Sequence, residues 1–254
     1  NKFVGIQAQE FKRLGVFADW EKPYLTMSYS YEAAIVEELG KFAINGSVFN
    51  GLKPVHWCTS CRTALAEAEV EYADHQSPTI YVKFPVKSGL NGQLGDINPA
   101  KVNFVIWTTT PWTLPANLAV CLHPEFQYSA VEIAGEVYVI AEKLLSKLVL
   151  EWDTKKYKVL GSCLGKNLEE VICRHPFIDR DSRIVLGDHV TLEQGTGCVH
   201  TAPGHGQEDY VVGQKYNLET YNPVDDGGVF KPEVVEFGGL FVRKANPLIV
   251  EKLR

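Results

Sequence analysis

The sequence predicts a mainly β fold of the α/β class, a closed or nearly closed barrel with peripheral helices. Three observations predict it. Short runs in which apolar and polar residues alternate recur along the chain, and this is the period of half-buried strands. Few stretches hold the 3.6-residue spacing of a helix. No Gly-x-Gly-x-x-Gly or Walker-type loop occurs, which leaves a doubly wound nucleotide fold and an ATP site without support.

The length of 254 residues suits one large domain, or one domain with an appended piece. Hydrophobic residues at 45% and charged residues at 22% describe an ordinary globular chain. No apolar run approaches the roughly 20 residues that span a bilayer, and Asn1-Lys2-Phe3-Val4-Gly5 lacks the shape of a signal peptide. No membrane partner and a cytoplasmic location are therefore expected. Six scattered cysteines, at 58, 61, 121, 163, 173 and 198, do not form a secreted disulfide framework and should mostly be reduced. The net charge of −6 argues against a protein that coats nucleic acid, because affinity for phosphates comes from Lys and Arg.

In chain order, residues 10–20 read as a helix end and a turn. A helix is expected over Tyr31–Ile44, with Ser30 as its N-cap, Ile35, Leu39 and Phe42 on one face, and Asn45-Gly46 as its stop. Lys53–Trp57 reads as a strand running into Cys58-Thr59-Ser60-Cys61, a metal-knuckle spacing. Structural zinc wants four ligands, and no second Cys-x-x-Cys exists. Two free cysteines in a tight turn is the first reading, and half a zinc site whose partner pair lies beyond Arg254 is the other.

Ala66–Tyr72 alternates small or apolar with acidic residues and is expected as a strand. Thr79–Val86 follows, with Ile80, Val82, Phe84 and Val86 on one face. Further strands are expected at 102–107, 118–122, 128–133, 136–141, 156–160 and 184–186, interrupted by a helix at 141–149 marked by Leu144, Leu145 and Leu148. Asp225–Gly228 is a turn, Gly238-Gly239 marks a domain edge, and Asn246–Arg254 reads as an amphipathic helix.

Two stretches concentrate the polar chemistry. In Gly195–Tyr210, Gly195 and Gly197 bracket a short strand, Pro203-Gly204 and Gly206 break it, and Gln207-Glu208-Asp209 opens a helix. His200 and Asp209 would face one hollow. Taken alone, Asp209 equally complements a helix dipole, and His200 equally reads as a satisfied core histidine. The second stretch, Trp107–Asn117, sets four threonines and two prolines between two apolar runs. Threonine hydroxyls donate and accept without charge, the prolines stiffen the loop, and Pro111 forbids a continued strand. A metal triad of His200, His205 and Asp209 fits no standard ligand spacing, and no Ser or Cys sits in a nucleophile elbow.

Together, Trp107-Thr-Thr-Thr-Pro-Trp-Thr-Leu-Pro-Ala-Asn117 and Gly195-Thr-Gly-Cys-Val-His-Thr-Ala-Pro-Gly-His-Gly-Gln-Glu-Asp-Tyr210 resemble the two signature segments of the editing domain inserted in isoleucyl-tRNA synthetases. The likeness runs from Phe11–Gly15 through Lys53–Cys58 and Ala64–Tyr72 to Gln214–Tyr216, nearly the whole chain. Valyl enzymes resemble instead Thr-Thr-Arg-Pro-Glu with Pro-Ala-His-Asp, and leucyl enzymes Thr-Thr-Arg-Pro-Asp-Thr.

The resemblance implies the synthetase editing-domain fold, with residues 63–238 as the domain, 1–62 as a connecting segment and 239–254 as a return segment. It implies hydrolysis of the ester in isoleucine tRNA mischarged with valine, and leaves hydrolysis of valyl-adenylate open. Asp209 would neutralise the α-ammonium of the substrate. His200 would shape the pocket that rejects isoleucine rather than act as base. Thr108, Thr109 and Thr110 would line the terminal adenosine and the carbonyl, with the attacking water open to the same hydroxyls. Asn117 would be a supporting contact, Trp112 either a packing residue or a flank for adenine, and Thr201 and His205 further members of the substrate-binding set. The partners implied are the 3′ end of that tRNA and the rest of the synthetase, with the isolated fragment a monomer. No cofactor is implied for editing, and zinc at Cys58 and Cys61 belongs to the full-length protein. A binding module that holds an RNA end without hydrolysing it is the reading from another class, and the valyl counterpart that edits threonine is a third.

Overall fold

The computed structural model describes residues 2–254. The chain separates into two units, Asn1–Gly51 and Leu52–Arg254. The first contains α1 (Lys2–Arg13) and α2 (Tyr29–Ile44). Helix α2 starts at Ser28, not at the expected Ser30: the extended backbone of Ser28 lets its hydroxyl accept from the Tyr31 N–H at 3.4 Å. It stops at Asn45-Gly46, where Gly46 takes φ +80°. Its apolar face of Ile35, Leu39 and Phe42 stays more than half exposed.

The second unit opens with a hairpin of β1 (Trp57–Cys58) and β2 (Thr63–Ala64), so the strand expected over 53–57 survives only at its last residue. Ala66–Tyr72 is not a strand. Its centre, Glu67–Glu69, is a 3-10 turn, and the Glu69 carboxylate reaches back to accept the Ala66 N–H at 2.8 Å. The alternating face of Ala66, Ala68, Val70 and Tyr72 finds no neighbouring strand to pack on: the alanines and Tyr72 are exposed and Val70 is half-buried.

Nine strands then build one mixed sheet: β3 (Ile80–Ser88), β4 (Val102–Thr108), β5 (Ala119–Leu122), β6 (Gln127–Ile133), β7 (Glu136–Ala141), β8 (Lys158–Leu164), β9 (Ile172–Arg174), β10 (Asp181–Leu186) and β11 (Cys198–Thr201). Their order is β11-β5-β10-β9-β3-β4-β7-β6-β8, with β5/β10 and β4/β7 parallel and the other pairs antiparallel. The expected barrel does not close as a ladder. The sheet curls until the segment before β11 reaches β6 and β7, where Ala141 N–H donates to Thr196 O at 2.8 Å and the Tyr128 hydroxyl to Gly197 O at 2.6 Å. Leu94 of the 89–98 loop lies over the face of β8, where only a glycine, Gly161, leaves room for its carbonyl oxygen.

Alternation holds in β3, where Val82, Phe84 and Val86 are buried and Lys83, Pro85 and Lys87 are exposed. Strand β4 is buried along Val102–Ile106, as befits a central strand covered on both faces. Phe84, Phe104, Ile106 and Tyr128 are wholly enclosed in the core. Helix α3 (Leu145–Glu151) inserts Leu145 and Leu148, with Leu144 just ahead of it. Helices α4 (Gln207–Lys215) and α5 (Val242–Lys252) complete the unit. Helix α5 begins four residues before the expected Asn246 and buries Ala245 and Ile249.

Candidate functional site

Strand β4 ends at Thr108 because Pro111, three residues on, cannot continue it. The chain turns through a 3-10 helix, Pro111–Ala116, into β5. That strand pairs with β11 in the register Val120↔His200 and Ala119↔Thr201, which sets His200 beside the threonine turn. After β11 the chain breaks at Ala202–Gly206 and enters α4, whose first turn carries Asp209. The two stretches, far apart in sequence, thus meet across one hollow of about 280 Å³. Trp107 and Thr108–Thr110 with Thr113 form one wall; Val199, His200, Ala202, His205, Gly206 and Asp209 form the other.

Asp209 is the acidic residue of this lining. Its Oδ2 accepts from the Ala202 N–H at 2.9 Å. Burial pushes its carboxyl up to about 6, Glu208 adds to the rise, and the Ala202 bond opposes it. The carboxylate is therefore ionised at neutral pH but poorly solvated, a state that favours a cationic ligand. Gly206 makes the approach possible, since a Cβ there would lie 2.8 Å from Asp209 Cγ.

His200 is enclosed and its ring nitrogens are both engaged. Asn117 Nδ2 donates to Ala119 O at 2.8 Å, and Ser182 Oγ donates to Asn117 Oδ1, which fixes the amide so that Nδ2 also donates to His200 Nδ1 at 2.8 Å. Nδ1 then accepts, so the proton sits on Nε2 and is given to Thr113 Oγ1 at 2.9 Å. The Thr113 hydroxyl in turn donates to Thr110 O at 2.9 Å. Burial first, then the neighbouring His175 and His205, push the imidazole down to about 3. His200 is a neutral, immobile wall with no free nitrogen to take a proton.

Thr108 is buried, Thr109 half-buried and Thr110 exposed, a graded set of hydroxyls from the floor to the rim. The Thr110 hydroxyl lies 3.4 Å from those of Thr108 and Thr113, distances that leave it open to a ligand. His205 is pushed down to about 4 by burial, and its Nε2 has no hydrogen-bond partner among the described residues.

Three expected site residues stand behind the walls rather than on them. Asn117 orients His200; Thr201 is enclosed, its hydroxyl 3.4 Å from Val199 O; and Trp112 sets its ring at right angles to His205, 5.1 Å between centroids. Trp107, quoted within the motif but given no role, lines the hollow. Sequence reasoning also passed over Thr113, Ser182 and Asn246. The first stood within the proline-bounded stretch and was legible there; the other two come from distant strand and helix positions with no local signal. A larger groove of about 620 Å³ lies between residues 75–78 and α5, lined by Arg243, Arg254 and Glu251 among others, but none of the motif threonines reaches it.

At the β1–β2 hairpin, the Cys61 N–H donates to Cys58 Sγ at 3.4 Å, and the amides of Cys61 and Ser60 hold the Cys58 thiol below its ordinary range. Two cysteines in one tight turn fit half of a tetrahedral zinc set. Among the described residues no group of three or more His, Cys, Asp or Glu side chains is placed to hold a metal.

The curl of the sheet, the threonine turn and the acid at the start of α4 define a class. The chain belongs to the class I tRNA synthetases of the I, L, M and V group, whose pattern matches residues 1–226. Within that group it is 55% identical over 253 residues to the isoleucine–tRNA ligase of Syntrophotalea carbinolica and 54% identical over 254 to that of Desulfovibrio desulfuricans. Each match takes in 100% of this chain and 27% of the relative, so the chain spans about a quarter of the length of those enzymes. Among solved structures, GlLeuRS-CP1 superposes with a TM-score of 0.55 at 14% identity, over 68% of this chain and 94% of the other. The cytosolic leucyl-tRNA synthetase editing domain of P. knowlesi gives 0.51 at 12%, over 70% and 94%. At those identities the likeness is one of fold: the mainly β architecture is that of synthetase editing domains.

Proposed function

We propose that the hollow is a deacylation site, and that it hydrolyses the ester of isoleucine tRNA mischarged with valine. One observation carries this reading: the Asp209 carboxylate, the Thr108–Thr110 hydroxyls and the neutral His200 ring converge on one small cavity. A pocket built for isoleucine excludes valine, one methylene smaller, by only about 1–3 kcal/mol, a limit for which this enzyme family is the standard illustration. A second, smaller site removes the error.

Asp209 holds the α-ammonium by a charge-assisted bond, which only a carboxylate supplies well here. The ammonium in turn favours the ionised acid and removes the strain of its burial. Thr108, Thr109 and Thr110 offer donors and acceptors to the terminal ribose, the ester carbonyl and a water, and their rigid turn holds these in the attacking geometry. His200 bounds the amino-acid side chain and, with both nitrogens engaged, excludes the larger ligand by shape instead of taking a proton. His205 and Trp112 support the wall opposite the threonines. The same hollow accepts the valyl group of an adenylate.

The partners in this proposal are the 3′ end of the tRNA and the remaining length of the synthetase, in the cytoplasm, with the isolated chain a monomer. Cys58 and Cys61 would supply two ligands of a structural zinc completed elsewhere in the longer protein, and no editing step is assigned to it. The test is release of valine from valyl-tRNA for isoleucine by the purified chain. Release is expected; binding of the aminoacylated end without release would make this a binding module.

A further inference from the structure

We infer that Asn246, on α5, is a positioning residue that keeps the Thr110 hydroxyl available to the hollow by capping the threonine turn from outside. The inference rests on the reading of the hollow as a hydrolytic site.

A helix start leaves backbone N–H groups without internal partners, and the residue at the cap ordinarily answers one with its own side chain. At Pro111–Ala116 every such group has an address. Pro111 has no N–H, and the Thr113 N–H donates to Thr110 O at 3.0 Å. The Trp112 N–H remains. Thr110 occupies the cap position, and threonine is a good cap, yet its hydroxyl makes no capping bond. The Trp112 N–H donates instead to Asn246 Oδ1, at 2.9 Å and 134 positions away in the chain. A Thr110 hydroxyl turned to its own helix start would be spent on the backbone; with Asn246 in place it lies at the rim of the hollow, only loosely associated with Thr108 and Thr113 at 3.4 Å each.

Removal of the outside cap should therefore draw Thr110 inward. In Asn246→Ala the orphaned Trp112 N–H recruits the Thr110 hydroxyl, and kcat for valine release falls about tenfold or more with KM little changed. Asn246→Asp keeps the accepting oxygen and should restore the rate. The double variant Asn246→Ala with Thr110→Val should be no slower than Thr110→Val alone, because both act on one hydroxyl. A loss in the double variant equal to the product of the single losses, or no rescue by Asn246→Asp, overturns the inference. A separate readout needs no substrate: three-bond couplings of Thr110 in the chain alone should report a changed χ1 in Asn246→Ala, and an unchanged rotamer overturns it. In the native chain the Trp112 amide should be protected from hydrogen exchange, and rapid exchange there overturns it even where the variants fold poorly. A wild-type chain that releases no valine would sink the deacylase reading while leaving these two measurements to decide the role of Asn246.

Discussion

At Asp209, function and stability pull in opposite directions. Burial raises the folded-state acid to about 6 from an ordinary 3.8. An acid raised on folding contributes fully to stability below the unfolded value and loses that contribution as pH rises through the folded one. Asp209→Asn, which can still accept from the Ala202 N–H, should therefore match the parent near pH 4 and exceed it at pH 8 by about 2 kcal/mol, allowing for partial solvation. Chemical denaturation at both pH values checks this. The same variant should lose valine release by a factor of about 100 or more, since a charge-assisted bond contributes a few kcal/mol. In the parent, release should decline as pH falls through about 6, where the counter-charge is protonated, while His200 stays neutral throughout.

His200 carries the second residue-scale prediction. His200→Ala opens the wall by roughly an imidazole, more than the methylene that separates isoleucine from valine, so correctly charged isoleucyl-tRNA should be attacked. Valine release should persist at a reduced rate on Asp209 and the threonines. Comparing the two deacylation rates checks it, and abolished valine release with isoleucine still spared would make His200 an orienting or proton-transfer group. The sequence made His200 and Asp209 visible because they flank a glycine-broken strand–helix junction. The clamp on His200 was not visible: Ser182 sits on a strand with no motif around it, and its role appears only once β10 is laid beside β5.

Elements were legible where periodicity had buried area behind it. The strands expected at 102–107, 128–133 and 136–141 lie within a residue or so of those observed, and the Leu144/Leu145/Leu148 face is buried as expected. Strand β9 went unseen because three residues carry no period. Ala66–Tyr72 misled because its apolar residues, Val70 and Tyr72 among them, have no strand beside them to bury against, and Ser30 because Ser28, two residues earlier, has the extended backbone a cap requires. The strand–turn–helix junction makes its own prediction at Gly206. Its φ of −118° is open to any residue, so Gly206→Ala should fold, but the new methyl would displace the Asp209 carboxylate. Valine release should drop about tenfold in kcat/KM, a change of about 1.4 kcal/mol. Unchanged kinetics in that variant would mean that the carboxylate position is not critical.

For the molecule as a whole, the charge pattern and the length set the expected affinity. A chain at −6 has little general attraction for phosphates, and it spans about a quarter of its isoleucine–tRNA ligase relatives. In isolation it should show a much higher KM for mischarged tRNA than a full-length relative does, with a similar kcat on valyl-adenosine, a substrate that needs no tRNA body. Equal KM values in both settings would place the tRNA-binding surface on this chain. Fold class was readable from strand content, but closure was not: periodicity says which residues a strand buries, not whether the two end strands of the sheet, here β11 and β8, pair with each other. In the proposed deacylation, one hollow holds the ammonium, the ester and the side chain together. A crystal structure with a hydrolysis-resistant valyl-adenosine analogue tests it most directly. The ammonium should lie about 3 Å from the Asp209 carboxylate, with the isopropyl group against His200 and the ester position facing Thr108–Thr110. An analogue seated in the groove beside Arg243, or one whose ammonium points away from Asp209, would contradict it.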